Sequence, residues 1–169
     1  RDRSKAQAAA GDVIKQLDAL ITNPSKDTGD REGELRLEYA KAIAALRAKE
    51  ATPVLIKCLQ QTKDKQPVAV HKECVKAAER IGDDAISEEL LTVAFRVPDA
   101  PGTQSIGERT KRAIVAIGEP AVDDVLKMLA GENTTINDLA AENGVDVQIV
   151  KQTAAGILGP LGSPTATSA

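Results

Sequence analysis

Apolar residues recur along this chain at three- and four-residue spacings, in blocks separated by short polar stretches that contain Gly or Pro. Cys74, Ala77, Ala78 and Ile81 stand at i, i+3, i+4 and i+7, and after a break Ile86, Leu90 and Val93 resume the pattern. That period puts the apolar residues on one stripe of an α-helix, whereas a half-buried strand would alternate every second residue. Read this way throughout, the sequence predicts helices over 4–22, 31–47, 51–62, 67–81, 84–96, 105–117, 120–131, 135–142 and 146–158. The stretches 23–30 and 97–105, rich in Pro, Gly, Asp and Thr, read as connections and not as domain boundaries.

The blocks repeat. Ile81-Gly82-Asp83-Asp84-Ala85-Ile86 superimposes on Ile117-Gly118-Glu119-Pro120-Ala121-Val122 at an offset of 36, and Leu90 and Val93 then fall on Leu126 and Leu129. An offset of 34 in the other direction brings Ala85 onto Ala51, Leu90 onto Ile56 and Val93 onto Leu59. Such periods are those of helix pairs that cannot bury their apolar faces alone. Each unit reads as helix, tight turn, helix: Gly82 and Gly118 sit where a left-handed residue reverses the chain, and Pro53 and Pro120 near a helix start, where a missing N–H costs little. A fourth turn signature, Leu161-Gly162-Ser163-Pro164-Thr165-Ala166, follows at an offset of 44, the extra length holding a short helix opened by Thr134 or Thr135. The sequence reaches Ala169 before any counterpart of Leu126 or Leu129, so the expectation is a single repeat domain, 1–169, belonging to a longer protein.

Composition narrows the reading. Tyr39 and Phe95 are the only aromatic residues and Trp is absent, so the interior must be built from Ala, Leu, Ile and Val, which suit closely approaching helices. The formal net charge of −3 and the dispersed Lys5, Lys41, Arg80, Lys111 and Arg112 provide no cationic stripe for nucleic acid. No apolar run approaches the roughly 20 residues a membrane-spanning helix needs. Two cysteines without C-x-x-C spacing leave the compartment open.

Alternating helices with turns of the form A-x-x-I-G-[ED]-P-A, as in Ala113 to Ala121, resemble the HEAT-like repeats, especially their bacterial members, over about residues 35–169. The resemblance implies an all-α solenoid of stacked antiparallel hairpins, a right-handed superhelix with first helices convex and second helices concave, whose usual work is binding other proteins. Some HEAT-like relatives are enzymes. The di-iron hydroxylases carry repeated His-Glu pairs that this chain lacks, and the alkylpurine glycosylases use a basic, aromatic-lined groove that it also lacks. A bilin-lyase-like or other cofactor-handling activity is the enzymatic alternative to a non-enzymatic scaffold that binds a protein or peptide, without cofactor or metal and without nucleic-acid binding or membrane insertion.

Individual residues add little chemistry. His71, the only histidine, opens a predicted helix and reads as a surface residue. Cys74 shares the stripe of Ala77, Ala78 and Ile81 and reads as a small core residue, while Cys58 falls on the face of its helix opposite Ile56, so a bridge between them is not expected. Asn133-Thr134-Thr135 fits a glycosylation sequon but reads as a helix start. If Ile56, Leu90 and Leu126 face inward, then Val54, Cys58, Glu88, Thr92, Phe95, Asp124 and Met128 point outward as a mixed apolar and acidic strip along the second helices. That strip is the expected partner-binding surface. The alternative reading packs Phe95 and Met128 between neighbouring hairpins, and the connection 97–105 is the next candidate for binding.

Overall fold

The computed structural model describes residues 2–24, 29–97 and 105–162. Among them are nine α-helices and no strand: α1 (Asp2–Thr22), α2 (Gly29–Leu46), α3 (Thr52–Leu59), α4 (Val68–Ile81), α5 (Ser87–Arg96), α6 (Ser105–Ile117), α7 (Val122–Ala130), α8 (Thr134–Glu142) and α9 (Val147–Leu161). Each coincides with one of the expected helices to within three residues at either end. Single 3-10 turns at Lys49–Ala51, Asp84–Ile86 and Glu119–Ala121 lead into α3, α5 and α7. The final turn signature and the expectation drawn from the chain's end fall on residues 163–169, outside the described residues, as does most of the connection 97–105.

Local chemistry sets these boundaries. Gly82 ends α4 at φ 66° and Gly118 follows α6 at φ 82°, both in the left-handed region where a Cβ is strained. Asp83 caps the turn before α5 by accepting from the Ala85 N–H, and Asp146 caps α9 by accepting from the Gln148 N–H at 2.7 Å. At α8 the cap is Asn133, whose Oδ1 accepts from the Ile136 N–H at 3.0 Å; the two threonines expected to open this helix stand just inside it.

The most extensive packing joins α2 to α4 and α4 to α6, with further broad contacts between α1 and α2, α3 and α4, α5 and α6, and α7 and α9. Among consecutive helices, those that meet face to face are the ones joined by the longer connections, while α2, α4 and α6 pack on one another across the intervening helices. The helices on either side of each glycine turn share little contact beyond it. The unit read from the sequence as helix, tight turn, helix is thus out of phase with the packing: the paired helices are α3 with α4 and α5 with α6.

A second shift concerns rotation. The helices α3, α5 and α7 begin at Thr52, Ser87 and Val122, equally spaced by 35 residues. In that frame three rows run through the core, Ala51/Ile86/Ala121, Leu55/Leu90/Val125 and Cys58/Val93/Met128, and no member is more than 1% exposed. They stand at i, i+4 and i+7, counted from the last residue of each 3-10 turn into the helix it opens. Aligning Leu90 with Ile56 and Leu126 is off by one residue, and one residue turns a helix face by about 100°. Ile56 and Leu126 are only partly buried, at the edge of the core.

Candidate functional site

That rotation decides where the expected binding residues lie. Val54, Cys58, Thr92, Phe95 and Met128 are buried, Asp124 is half-buried, and only Glu88 is exposed. They form no common outward strip. Cys58 and Met128 belong to the core rows, and Thr92 and Phe95 are further covered because α8, the helix inside the 44-residue offset, packs on α5 and Asn143 Nδ2 donates to the Phe95 carbonyl at 3.1 Å.

The same correction brings the cysteines together. Cys58 and Cys74 form a disulfide with Cα atoms 6.6 Å apart, and both are fully buried. His71 is also buried, not on the surface. The helix α4 is packed by α2, α3 and α6, so its inward face is broader than one apolar stripe. Its Nε2 lies 2.8 Å from the Gln61 carbonyl, while Nδ1 makes no well-formed hydrogen bond. Burial pushes the imidazole below its ordinary value of 6.5, the Gln61 and Pro67 carbonyls oppose this, and the Arg96 charge adds to it.

Neighbouring units are tied by polar contacts that no repeat pattern announced. Thr52 and Ser87 occupy the same position at the opening of α3 and α5. Thr52 Oγ1 donates to Asp83 Oδ2 at 2.7 Å, and Ser87 Oγ donates to Asp124 Oδ2. The equivalent residue of α7 is Val122, and the series stops there. Asp83 is nearly buried and also pairs with Lys49 Nζ at 3.4 Å. The Thr52 hydroxyl chiefly, with the Ala85 N–H and Lys49, holds its carboxyl below the usual carboxylate range against the cost of burial. A third set answers helix C-termini: Arg36 Nη2 donates to the Leu20 carbonyl at 2.6 Å and Arg96 Nη1 to the Leu59 carbonyl at 2.8 Å.

Beside the Thr52–Asp83 contact lies a cleft of about 540 Å³ lined by Lys49, Glu50, Thr52, Pro53, Ile56, Asp83 and Ala85. Its floor is apolar, from Pro53, Ile56 and Ala85, and its rim carries charge. Ile56 is available to it because it lies one position off the core row. Along the same edge of the molecule the turns and helix starts present Glu50, Asp84, Glu88, Glu119 and Asp123, all exposed. A smaller cleft of about 360 Å³ between α6 and α9 includes Glu108, Lys111 and Ile149. Among the described residues no group of three or more His, Cys, Asp or Glu is placed to hold a metal ion, and no helix is long and apolar enough to cross a membrane. No protein-family model, curated protein or solved structure matches the chain.

Proposed function

We propose that this chain is a HEAT-like α-solenoid acting as a non-enzymatic scaffold, and that it binds a protein or peptide partner at the edge where α3, α5 and α7 begin. The observation that carries this reading is the cleft at the α3 opening, an apolar floor of Pro53, Ile56 and Ala85 bordered by carboxylates. The equal spacing of α3, α5 and α7 with three shared core rows supports the repeat architecture. An aliphatic anchor fits the floor, and flanking Lys or Arg residues fit Glu50, Asp84 and Glu88, the carboxylates selecting partners by charge more than adding affinity. The docking residues are thus Pro53, Ile56 and Glu88, in place of the buried Phe95 and Met128.

A randomised peptide library displayed on phage and selected on the full chain tests this directly. Enriched sequences should combine one or two aliphatic residues with flanking basic ones, and should lose binding to Ile56→Glu and to Glu88→Lys. Selection that yields no enrichment, or peptides indifferent to both substitutions in folded variants, sinks the reading.

A further inference from the structure

Cys58 lies in the last turn of α3 and Cys74 midway along α4, so their bridge encloses the polar connection 60–67. At eight residues α3 is too short to keep its helical form without tertiary support. Three further contacts hold the connection. Gln66 Nε2 donates to the Cys58 carbonyl at 3.0 Å, the His71 ring nitrogen meets the Gln61 carbonyl, and Arg36 Nη1 donates to the Lys65 carbonyl at 3.4 Å. These three act through the connection itself, so they persist only while its ends lie against α4 and α2, and from α5 Arg96 Nη1 adds a contact to the Leu59 carbonyl at the end of α3. The helix α4 is secured independently by α2 and α6. The segment from the end of α3 to residue 67 is therefore the part of this region with the least support of its own, and the covalent bond is its firmest attachment.

We infer that the Cys58–Cys74 bridge is a redox clamp: oxidised, it pins the end of α3 and the connection 60–67 to α4; reduced, it lets that segment open while α2, α4 and α6 stay packed. The reduction is a thiol–disulfide exchange. A dithiol reductant attacks one sulfur, passes through a mixed disulfide and leaves as its own cyclic disulfide, having given two electrons and two protons to produce the Cys58 and Cys74 thiols. Re-formation needs a disulfide oxidant that takes them back. Both sulfurs are fully buried, so the reductant reaches them through openings of this segment, and the clamp yields slowly.

The test uses Lys63 and Lys65, which are exposed in the connection and are trypsin sites. The full chain is produced in an oxidising compartment, purified without reductant and divided. One part stays oxidised, one is reduced with dithiothreitol and alkylated, and a Cys58→Ala/Cys74→Ala variant serves as a third sample free of alkyl groups. Reduced chain and variant should be cut at Lys63 or Lys65 at least about tenfold faster than oxidised chain, while the sites within α4, Lys72, Lys76 and Arg80, keep their protection. Hydrogen exchange by mass spectrometry should show the same confinement to 57–67. Equal cleavage in all samples overturns the proposal, as does equal acceleration throughout α2, α4 and α6, which makes the bridge a global staple. Two reactive thiols in the denatured, never-reduced chain overturn it as well.

Discussion

The rotation of the second helices can be tested by truncating two adjacent residues, Leu55 and Ile56. In the observed frame Leu55 lies in the central core row and is fully buried, whereas Ile56 is partly buried and borders the cleft. Leu55→Ala removes a side chain from a fully buried, packed interior, where the lost transfer energy and the residual cavity together cost about 3–5 kcal/mol. Ile56→Ala deletes a similar number of carbon atoms, but some of that surface is already in water and the space opens to solvent, so about 1–2 kcal/mol is expected from the part buried. The difference of about 2–3 kcal/mol corresponds to about 4–12 °C between the two melting temperatures for a chain of this size. There is no Trp to report unfolding, so helical circular dichroism with urea and with heat is the appropriate assay. Equal losses, or a greater loss at Ile56, would show that the frame with Ile56 inward was right and that the rows described above are misassigned.

Removing both cysteines as Cys58→Ala/Cys74→Ala should cost about 3 kcal/mol through the freed loop in the unfolded chain, read as a lower urea midpoint; no change in midpoint would refute this. His71 is kept neutral by burial, so its folded pKa lies below 6.5 and the unfolded chain takes up the proton first; its contribution is complete above about pH 6.5 and is lost as pH falls below that. Urea midpoints measured between pH 8 and 5 should decline on the acid side, and less steeply in His71→Phe; parallel curves for the two proteins would contradict the assignment. Thr52→Val withdraws the hydroxyl that chiefly lowers the Asp83 pKa and leaves a nearly buried carboxylate with weaker partners, an expected loss of about 1–3 kcal/mol. The Asp83 carboxyl resonance followed by NMR should then titrate at higher pH, and an unmoved titration would mean that Thr52 does not hold it.

The helices were legible because their apolar period is strong and their punctuation is chemical: Gly82, Gly118 and Asp83 each do in the structure what their residue types permit. The site was less legible for a geometric reason. The glycines Gly82 and Gly118 match at 36, yet the 3-10 turns and the helices they open run at 35, because Asp83 adds one residue between Gly82 and its 3-10 turn; the offset of 34 likewise pairs Ala85 with Ala51 where the 3-10 turns pair it with Glu50. A repeat aligned at those offsets therefore misplaces Ile56 by one residue, and that is enough to exchange Ile56 for Leu55 and to turn Cys58 away from Cys74. The even spacing of Thr52, Ser87 and Val122 would have hinted at the true frame. The burial of Phe95 had no local signal at all, since it depends on α8, which lies more than 35 residues further along the chain.

The carbonyls that close α1, α3 and α5 are each met by a side chain from a later element, Arg36 for Leu20, Arg96 for Leu59 and Asn143 for Phe95. A run of short packed helices invites treatment as interchangeable beads, to be lengthened or shortened one piece at a time. Here a deletion from the end of α3 to the end of α5 would strip Leu59 of Arg96, and one that removed α8 with its following turn would strip Phe95 of Asn143, each exposing the cut end of a helix whose stopper was carried by the excised piece. Anyone shortening or splicing this chain must move the stopper with the helix it closes. The natural seam for such surgery is therefore set neither by the glycine turns nor by the long connections, but by where a cut leaves every such carbonyl on the same piece as the distant side chain that answers it.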